Sequence, residues 1–319
     1  MLGKTKLGRL IGAASLAVIV SGSAVLAYPD GPVTYIIPFN AGGESDVTAR
    51  YQQPHFKTLT GQDMIVQYLP GAGGAQAWSG LNGYAGDGRT IMGTNLPHIV
   101  MQPLLQNPGY KTGDITNVYI FHFTPDALIV SKDSPFQTVQ DVIDAATQNP
   151  GAVTVGGTGT NGANDVANQI FMNETGAQTT YIPYSGTGAT ESGLLGKEVD
   201  ALWNYTTVAV RQADAVRMLA VAMEERHPLF PDVPTFKELG INMVGGAYRG
   251  IAVPSSTPEE VRVRLSDLIG QINRDPDFRQ RMEADGYALI DVPYAEMAGF
   301  MAEREQVYGA IAEQLNAAK

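Results

Sequence analysis

The sequence predicts an α/β protein of two lobes with largely parallel sheets. Short apolar runs of strand length alternate with helical patterns through most of the 319 residues, as in sheets joined by crossover helices. Two glycine-rich strand-to-helix turns of similar chemistry, at Gly42 and Gly159, suggest two such units. No Pro/Ser/Gly linker separates them, so the chain should pass between lobes on strands within a continuous hinge. This length allows one large or two medium domains.

The strand Val33–Pro38 is a β-branched and aromatic run suited to a pleated, half-buried surface. The helix Asp46–Leu59 follows, with Ser45 or Asp46 placed to cap it. Strands are then expected at Met64–Tyr68, Thr90–Gly93, Tyr119–Phe123 and Ala127–Ser131, with a helix at Gln76–Leu81. The middle of the chain offers strands Val153–Gly156, Thr179–Pro183, Ala201–Trp203, Met218–Ala222 and Gly250–Val253. Its helices are Val139–Thr147, Ala163–Thr175 and Thr187–Leu195.

The last third turns helical. Thr257-Pro258-Glu259-Glu260 reads as a cap, a proline in the first turn and a capping-box glutamate. It opens Pro258–Asn273, followed by Pro276–Asp285 and Tyr294–Ala318. These helices read as a cover on a sheet, not as a third domain. The expected division is 1–27 as a signal segment, 28–126 with 253–319 as lobe 1, and 127–252 as lobe 2.

Residues 1–27 have the form of a cleaved secretory signal. Lys4, Lys6 and Arg9 precede an apolar stretch from Leu10 to Val20, and Val25-Leu26-Ala27 precede a cut before Tyr28. Gly12, Ser15, Ser21 and Gly22 interrupt the stretch, which is short for a membrane span. No second hydrophobic span follows, and no cysteine at the cut could carry a lipid anchor. The chain is therefore expected free in a periplasm.

Charge and composition exclude several functions. The chain holds 21 Lys and Arg against 32 Asp and Glu, net −11. Removing the three basic residues of the signal leaves 18 against 32, or −14. Such a surface repels nucleic acid and anionic membranes. An anionic ligand would also be repelled at long range, so its site must act locally, through backbone dipoles or a placed arginine. Cysteine is absent, and His55, His98, His122 and His227 show no metal-ligand spacing. No metal and no cofactor are expected.

The segment Pro38-Phe39-Asn40-Ala41-Gly42-Gly43-Glu44-Ser45-Asp46 is a candidate anion socket. Successive N–H groups of such a turn and of the helix start point outward together, which suits a carboxylate. The other reading is a tight turn without ligand. Gly157-Thr158-Gly159-Thr160-Asn161-Gly162 matches the dinucleotide pattern literally. The next strand, however, runs into Tyr184-Ser185-Gly186 with no acidic residue to hold a ribose, so a second anion cradle suits it better. Pro70-Gly71-Ala72-Gly73-Gly74 is a third flexible turn.

Candidate contacts are thus Phe39, Asn40, Ala41, Gly42, Gly43, Ser45 and Asp46 in one loop, and Gly157, Thr158, Gly159, Thr160 and Asn161 in the other. Tyr184 could line the cleft. Arg249, at an expected strand start, is a candidate counter-charge for a second ligand carboxylate or else a surface residue. Trp203 and Tyr205 could line the cleft or fill the core. No Gly-x-Ser-x-Gly elbow or phosphate-binding loop occurs, and no catalytic residue is nominated.

Taken in order, these segments resemble the extracytoplasmic solute receptors of tripartite tricarboxylate transporters, the Bug receptor family. Tyr28-Pro29-Asp30-Gly31-Pro32 is similar to the family's opening, and Pro38 to Gly43 with Asp46 and Ala49-Arg50 to its first loop and helix. Leu69-Pro70-Gly71-Ala72-Gly73-Gly74 and Gly86-Asp87-Gly88-Arg89-Thr90 resemble the next two motifs, with Arg89 at an aromatic position. Ile182 to Gly186, Leu194-Leu195-Gly196 with Val199-Asp200, Arg217 to Ala222, Arg226, and Phe230 to Thr235 with Glu238 and Gly240 continue the resemblance.

The resemblance implies a two-lobed periplasmic-binding-protein fold of the Venus flytrap kind, type II, with a ligand cleft between lobes. It implies that Ala41–Asp46 and Gly157–Gly162 grip a small organic acid through backbone N–H groups and ordered water. The receptor would be a monomer that hands its ligand to a two-subunit membrane permease driven by an ion gradient. Relatives often read Ser-x-Gly-x-Gly-Ser and then His in the second loop, where this chain has Gly157, Asn161, Gly162 and Asp165. Asp165 would repel a second carboxylate, or bind a hydroxyl or amine. The alternatives are an exported α/β enzyme acting on small carboxylates and a ligand-presenting partner of a membrane sensor.

Overall fold

The computed structural model describes residues 28–317; the expected signal segment lies outside them. The chain runs β1 Val33–Ile37, α1 Glu44–Thr60, β2 Met64–Tyr68, α2 Ala75–Ser79, β3 Thr90–Leu96, α3 His98–Leu105 and β4 Thr116–Ser131. Then come α4 Val139–Gln148, β5 Thr154–Thr158, α5 Ala163–Thr175, β6 Thr180–Tyr184 and α6 Thr187–Leu195. Next are β7 Ala201–Tyr205, α7 Thr206–Arg211, β8 Val216–Val221 and β9 Gly246–Val253. The chain closes with α8 Glu259–Asn273, α9 Pro276–Ala284, β10 Ala288–Val292 and α10 Tyr294–Ala317.

Local chemistry explains several boundaries. Gly61 ends α1 in the left-handed region, its N–H returning to Lys57 O, and Gly176 ends α5 the same way. Thr138 and Asp141 form a capping box for α4. Asp275 caps α9 with Pro276 in the first turn. Pro258 stands at the cap of α8, one position earlier than the sequence pattern placed it.

The strands form one path, β2-β1-β3-β9-β4-β7-β5-β6, with β8 and β10 also on β4. The first half of β4 pairs with β9 and the second half with β7 and β8. β4 therefore carries the chain from one lobe to the other. The expected strands Tyr119–Phe123 and Ala127–Ser131 are one strand. Pro125, which cannot donate to a ladder, falls where the pairing passes from β9 to β7.

One further expectation is corrected. The sheets are mixed: β1–β2, β1–β3, β5–β6 and β5–β7 are parallel, whereas every pairing of β4 and β9 is antiparallel. The two long crossing strands run against the strand–helix units on either side. β9 pairs over its whole length with β3 or β4.

Each lobe has its own apolar core. Phe56, Trp78 and Tyr119 anchor the first; Phe171, Trp203 and Phe236 anchor the second. Trp78 Nε1 donates to Gly93 O at 2.8 Å and Trp203 Nε1 to Asn168 Oδ1 at 3.0 Å, so neither indole N–H is buried unpaired. Trp203 is thus a core residue, not a cleft residue.

Candidate ligand site

Helices α1 and α5 begin alike, one in each lobe. Gly43 caps α1 and Gly162 caps α5, both in extended backbone and without a side-chain cap bond. The residue before each cap is left-handed, Gly42 at φ 81° and Asn161 at φ 54°. Gly42 N–H donates to Asp46 Oδ2 at 2.9 Å, and Asn161 N–H to Asp165 Oδ2 at 2.8 Å. Each aspartate also places negative charge at the positive end of its helix. Ser45 therefore does not cap α1, and Asp46 braces the preceding turn. Asp165 does the same for the second loop.

Other loop amides are also bonded within the chain. Thr158 N–H donates to Asn164 Oδ1 at 3.0 Å and Gly159 N–H to Tyr184 O at 2.9 Å. With Gly42 and Asn161, four of the expected loop donors are engaged within the chain. The helix ladders start with Val47 N–H on Gly43 O and Val166 N–H on Gly162 O, both at 3.0 Å. The first-turn N–H groups precede those ladders and have no partner within the helix.

The lobes touch around the cleft. Asn40 Nδ2 donates to Ser185 Oγ at 2.5 Å, Gln102 Nε2 to Thr160 O at 3.3 Å, and Asn161 Nδ2 to Gln106 Oε1 at 3.0 Å. An inner cavity of about 10 Å³ is lined by Phe39, Asn40, Gly43, Ser45, Thr158 and Arg249. That is room for one water. An outer cavity of about 420 Å³ is lined by Gly159, Thr160 and Tyr184 with the third glycine turn, Gly71 to Gly74. Ala41, Gly42, Asp46, Gly157 and Asn161 line neither cavity. Gly157 instead supports the loop from below, where a Cβ would lie 2.7 Å from the Tyr181 ring.

Sequence reasoning missed Glu44, Asn95, His98 and Thr187 on the inner cavity. Glu44 was visible inside the first loop, whereas Asn95 lies within β3 and His98 and Thr187 open α3 and α6, with no local motif. Tyr205 lies there too, its ring under the Arg249 guanidinium at 4.5 Å. Arg249 is in mid-strand and buried, not at a strand start or on the surface. Arg249 Nη1 is 2.6 Å from Glu44 Oε2. Thr124 Oγ1 donates to Glu44 Oε2 at 2.9 Å and accepts from Arg249, while Thr207 donates to the other Glu44 oxygen. The arginine's charge is thus matched inside the protein.

Where β4 passes between lobes, Asp126 is buried and accepts from Asn164 Nδ2 at 2.8 Å. Burial pushes its carboxyl up to about 7, against the opposing pull of Asn164 and Arg249. Burial likewise pushes His98 down to about 3, so its imidazole is neutral beside the inner cavity. Its ring packs edge-on to Phe39, centroids 5.9 Å apart. Among the described residues no group of three or more His, Cys, Asp and Glu could hold a metal ion. No described helix is long and apolar enough to cross a membrane.

The family described as the tripartite tricarboxylate transporter family receptor matches residues 48–317. The chain belongs to this family. The receptor is 29% identical over 315 residues to a protein of Cupriavidus necator named for the region 5′ of gbd, covering 96% of this chain and 94% of that one. Among solved structures, it superposes on R. palustris Rpa4515 with adipate at a TM-score of 0.85 and 22% identity, covering 91% and 98% of the two chains. MatC of Rhodopseudomonas palustris with bound malate gives 0.83 and 24%, covering 89% and 100%. The receptor has the two-lobed periplasmic-binding-protein fold.

Proposed function

We propose that this receptor captures a small organic carboxylate between its lobes in the periplasm and delivers it to the membrane permease of a tripartite tricarboxylate-type transporter. One observation carries the reading. Two helix starts, each braced by the same turn-to-aspartate bond, belong to opposite lobes that meet around one cleft. Uncapped first-turn N–H groups bind anions without requiring a cation, as a strongly acidic protein needs.

The inner cavity is smaller than any organic acid, so the lobes must part for entry and close again over the ligand. Closure about the β4 and β9 crossings is the hinge motion that such a topology permits. Proposed contacts are the N–H groups of Gly43 and Ser45, with Phe39, Asn40, Thr158, Thr160 and Tyr184. The bound acid is returned unaltered, as a receptor that hands its ligand on requires.

A thermal-shift screen of the secreted chain across organic acids tests this reading. A ligand at about a hundred times its dissociation constant stabilises by roughly 2.7 kcal/mol. Mass spectrometry of the recovered ligand should show no turnover. A screen without a stabilising acid, or a chemically altered ligand, refutes the reading.

A further inference from the structure

We infer that the cleft selects small monocarboxylates with a neutral polar far end over dicarboxylates, and that Glu44 sets this choice. The inference rests on the carboxylate-receptor reading above. Glu44 and Arg249 are the charged residues that line the two cleft cavities. Their side chains are 0% and 4% exposed and paired at 2.6 Å. Thr124 and Thr207 complete the Glu44 carboxylate, and the Tyr205 ring covers the guanidinium. Arg249 therefore has its counter-charge before any ligand arrives.

The first carboxylate of a ligand has the helix-start N–H groups and needs no cation. A second carboxylate would reach a floor of zero net charge, where Glu44 repels what Arg249 attracts. It would lose its hydration without compensation, the usual reason a buried charge is costly. The floor offers neutral chemistry instead. Thr158 Oγ1, Asn95 Oδ1 and Arg249 Nε are buried without partners among the described residues, and hydroxyl or amide groups match such a mixture of donors and acceptor.

The charge is placed by the fold. Glu44 is the first residue of α1, and its side chain turns inward to β4 and α7, away from solvent. Glu44 and Arg249 both stand on the first sheet side, whereas Thr207 and Tyr205, which contact them, come from the second. A ligand that closes the lobes must therefore close them over this neutral pair. A purely structural ion pair would leave the charge preference of the site unmoved, which makes the two roles separable.

Matched probes isolate charge from shape: succinate, glutarate and adipate, each against its half-amide, titrated calorimetrically into the secreted chain. In the pair whose length fits, the half-amide should bind about tenfold tighter or more. Glu44→Gln frees Arg249 and should shift the ratio toward the dicarboxylate by roughly tenfold. Glu44→Asp keeps the charge and should keep the half-amide preference, which serves as the second variant should Glu44→Gln not fold. A dicarboxylate that binds the unaltered chain as tightly as its half-amide overturns the inference and leaves the receptor reading intact. If no organic acid binds at all, both fall.

Discussion

Gly159 stands so close to Gly73 across the cleft that a Cβ on Gly159 would lie 2.7 Å from the Gly73 Cα. The two backbones come from opposite lobes, and Gly159 is left-handed at φ 65°. Both facts ask for glycine, one through sterics between lobes and one through its own backbone.

Gly159→Ala should therefore separate closure from folding. The backbone term costs roughly 1–2 kcal/mol, which a protein of this size tolerates. The clash acts on the closed form alone, so affinity for the cognate acid should fall by about tenfold or more. Calorimetry gives the affinity, and small-angle scattering should show a more open mean shape in the presence of ligand. Unchanged affinity would mean that the Gly73 contact is not part of the bound state.

At Gly43 the expected result depends on side-chain size. A Cβ there meets Asn40 O at 3.6 Å and Thr187 N at 3.7 Å, both ordinary contacts, and the backbone is extended. Gly43→Ala should bind nearly as well as the parent. Gly43→Leu places a branched group between the first loop and α6 and should reduce binding by roughly a hundredfold, with stability changed by only about 1 kcal/mol. Loss of binding in the alanine variant as well would argue that the cap itself, not the space beside it, is what matters.

Local patterns made the strand–helix units readable, down to the residue for α5 and α6, because turn glycines and apolar periodicity encode them. Three elements escaped. α3 carries Pro103 inside it and has no side-chain cap, α7 spans only six residues, and β10 alternates weakly between two helices. The Glu44–Arg249 pair was illegible for a different reason. Each residue reads locally as exposed, and the pairing that buries both joins the start of α1 to a strand two hundred positions away. The parallel reading failed likewise at β4 and β9, whose direction is a property of the crossing and not of their composition.

Acidity should affect stability through Asp126. An unfolded aspartate ionises near 3.8, whereas burial holds the native one up to about 7. The native state then keeps a proton that the unfolded state has released, so this contribution fades as pH rises from 4 to 7. His98, pushed down to about 3, and His122, also pushed well below its usual value by burial, act oppositely. Their contribution fades as pH falls below 6.5. Asp126→Asn removes the first effect and retains the second. The parent's stability minus the variant's should shrink between pH 5 and 8 by about 2–3 kcal/mol, read from urea unfolding. Parallel profiles for the two proteins would show that Asp126 titrates normally.

Asp46 and Asp165 should behave as matching parts of one clamp. Each fixes the left-handed residue before its helix, but Asp46 also accepts from Arg50 at 3.1 Å and Tyr68 at 2.7 Å. Alanine at either position should cost about 1–2 kcal/mol of stability, more at Asp46. Each should weaken binding by roughly tenfold, because a loosened turn no longer aims its N–H groups. The decisive measurement is the double variant. If both loops hold the same ligand in one closed state, losing either jaw already forfeits much of what the other supplies, so the combined loss should be smaller than the sum of the single losses. Strict additivity in calorimetric affinities would mean that the two loops act independently, and the paired-jaw reading of the cleft would have to be abandoned.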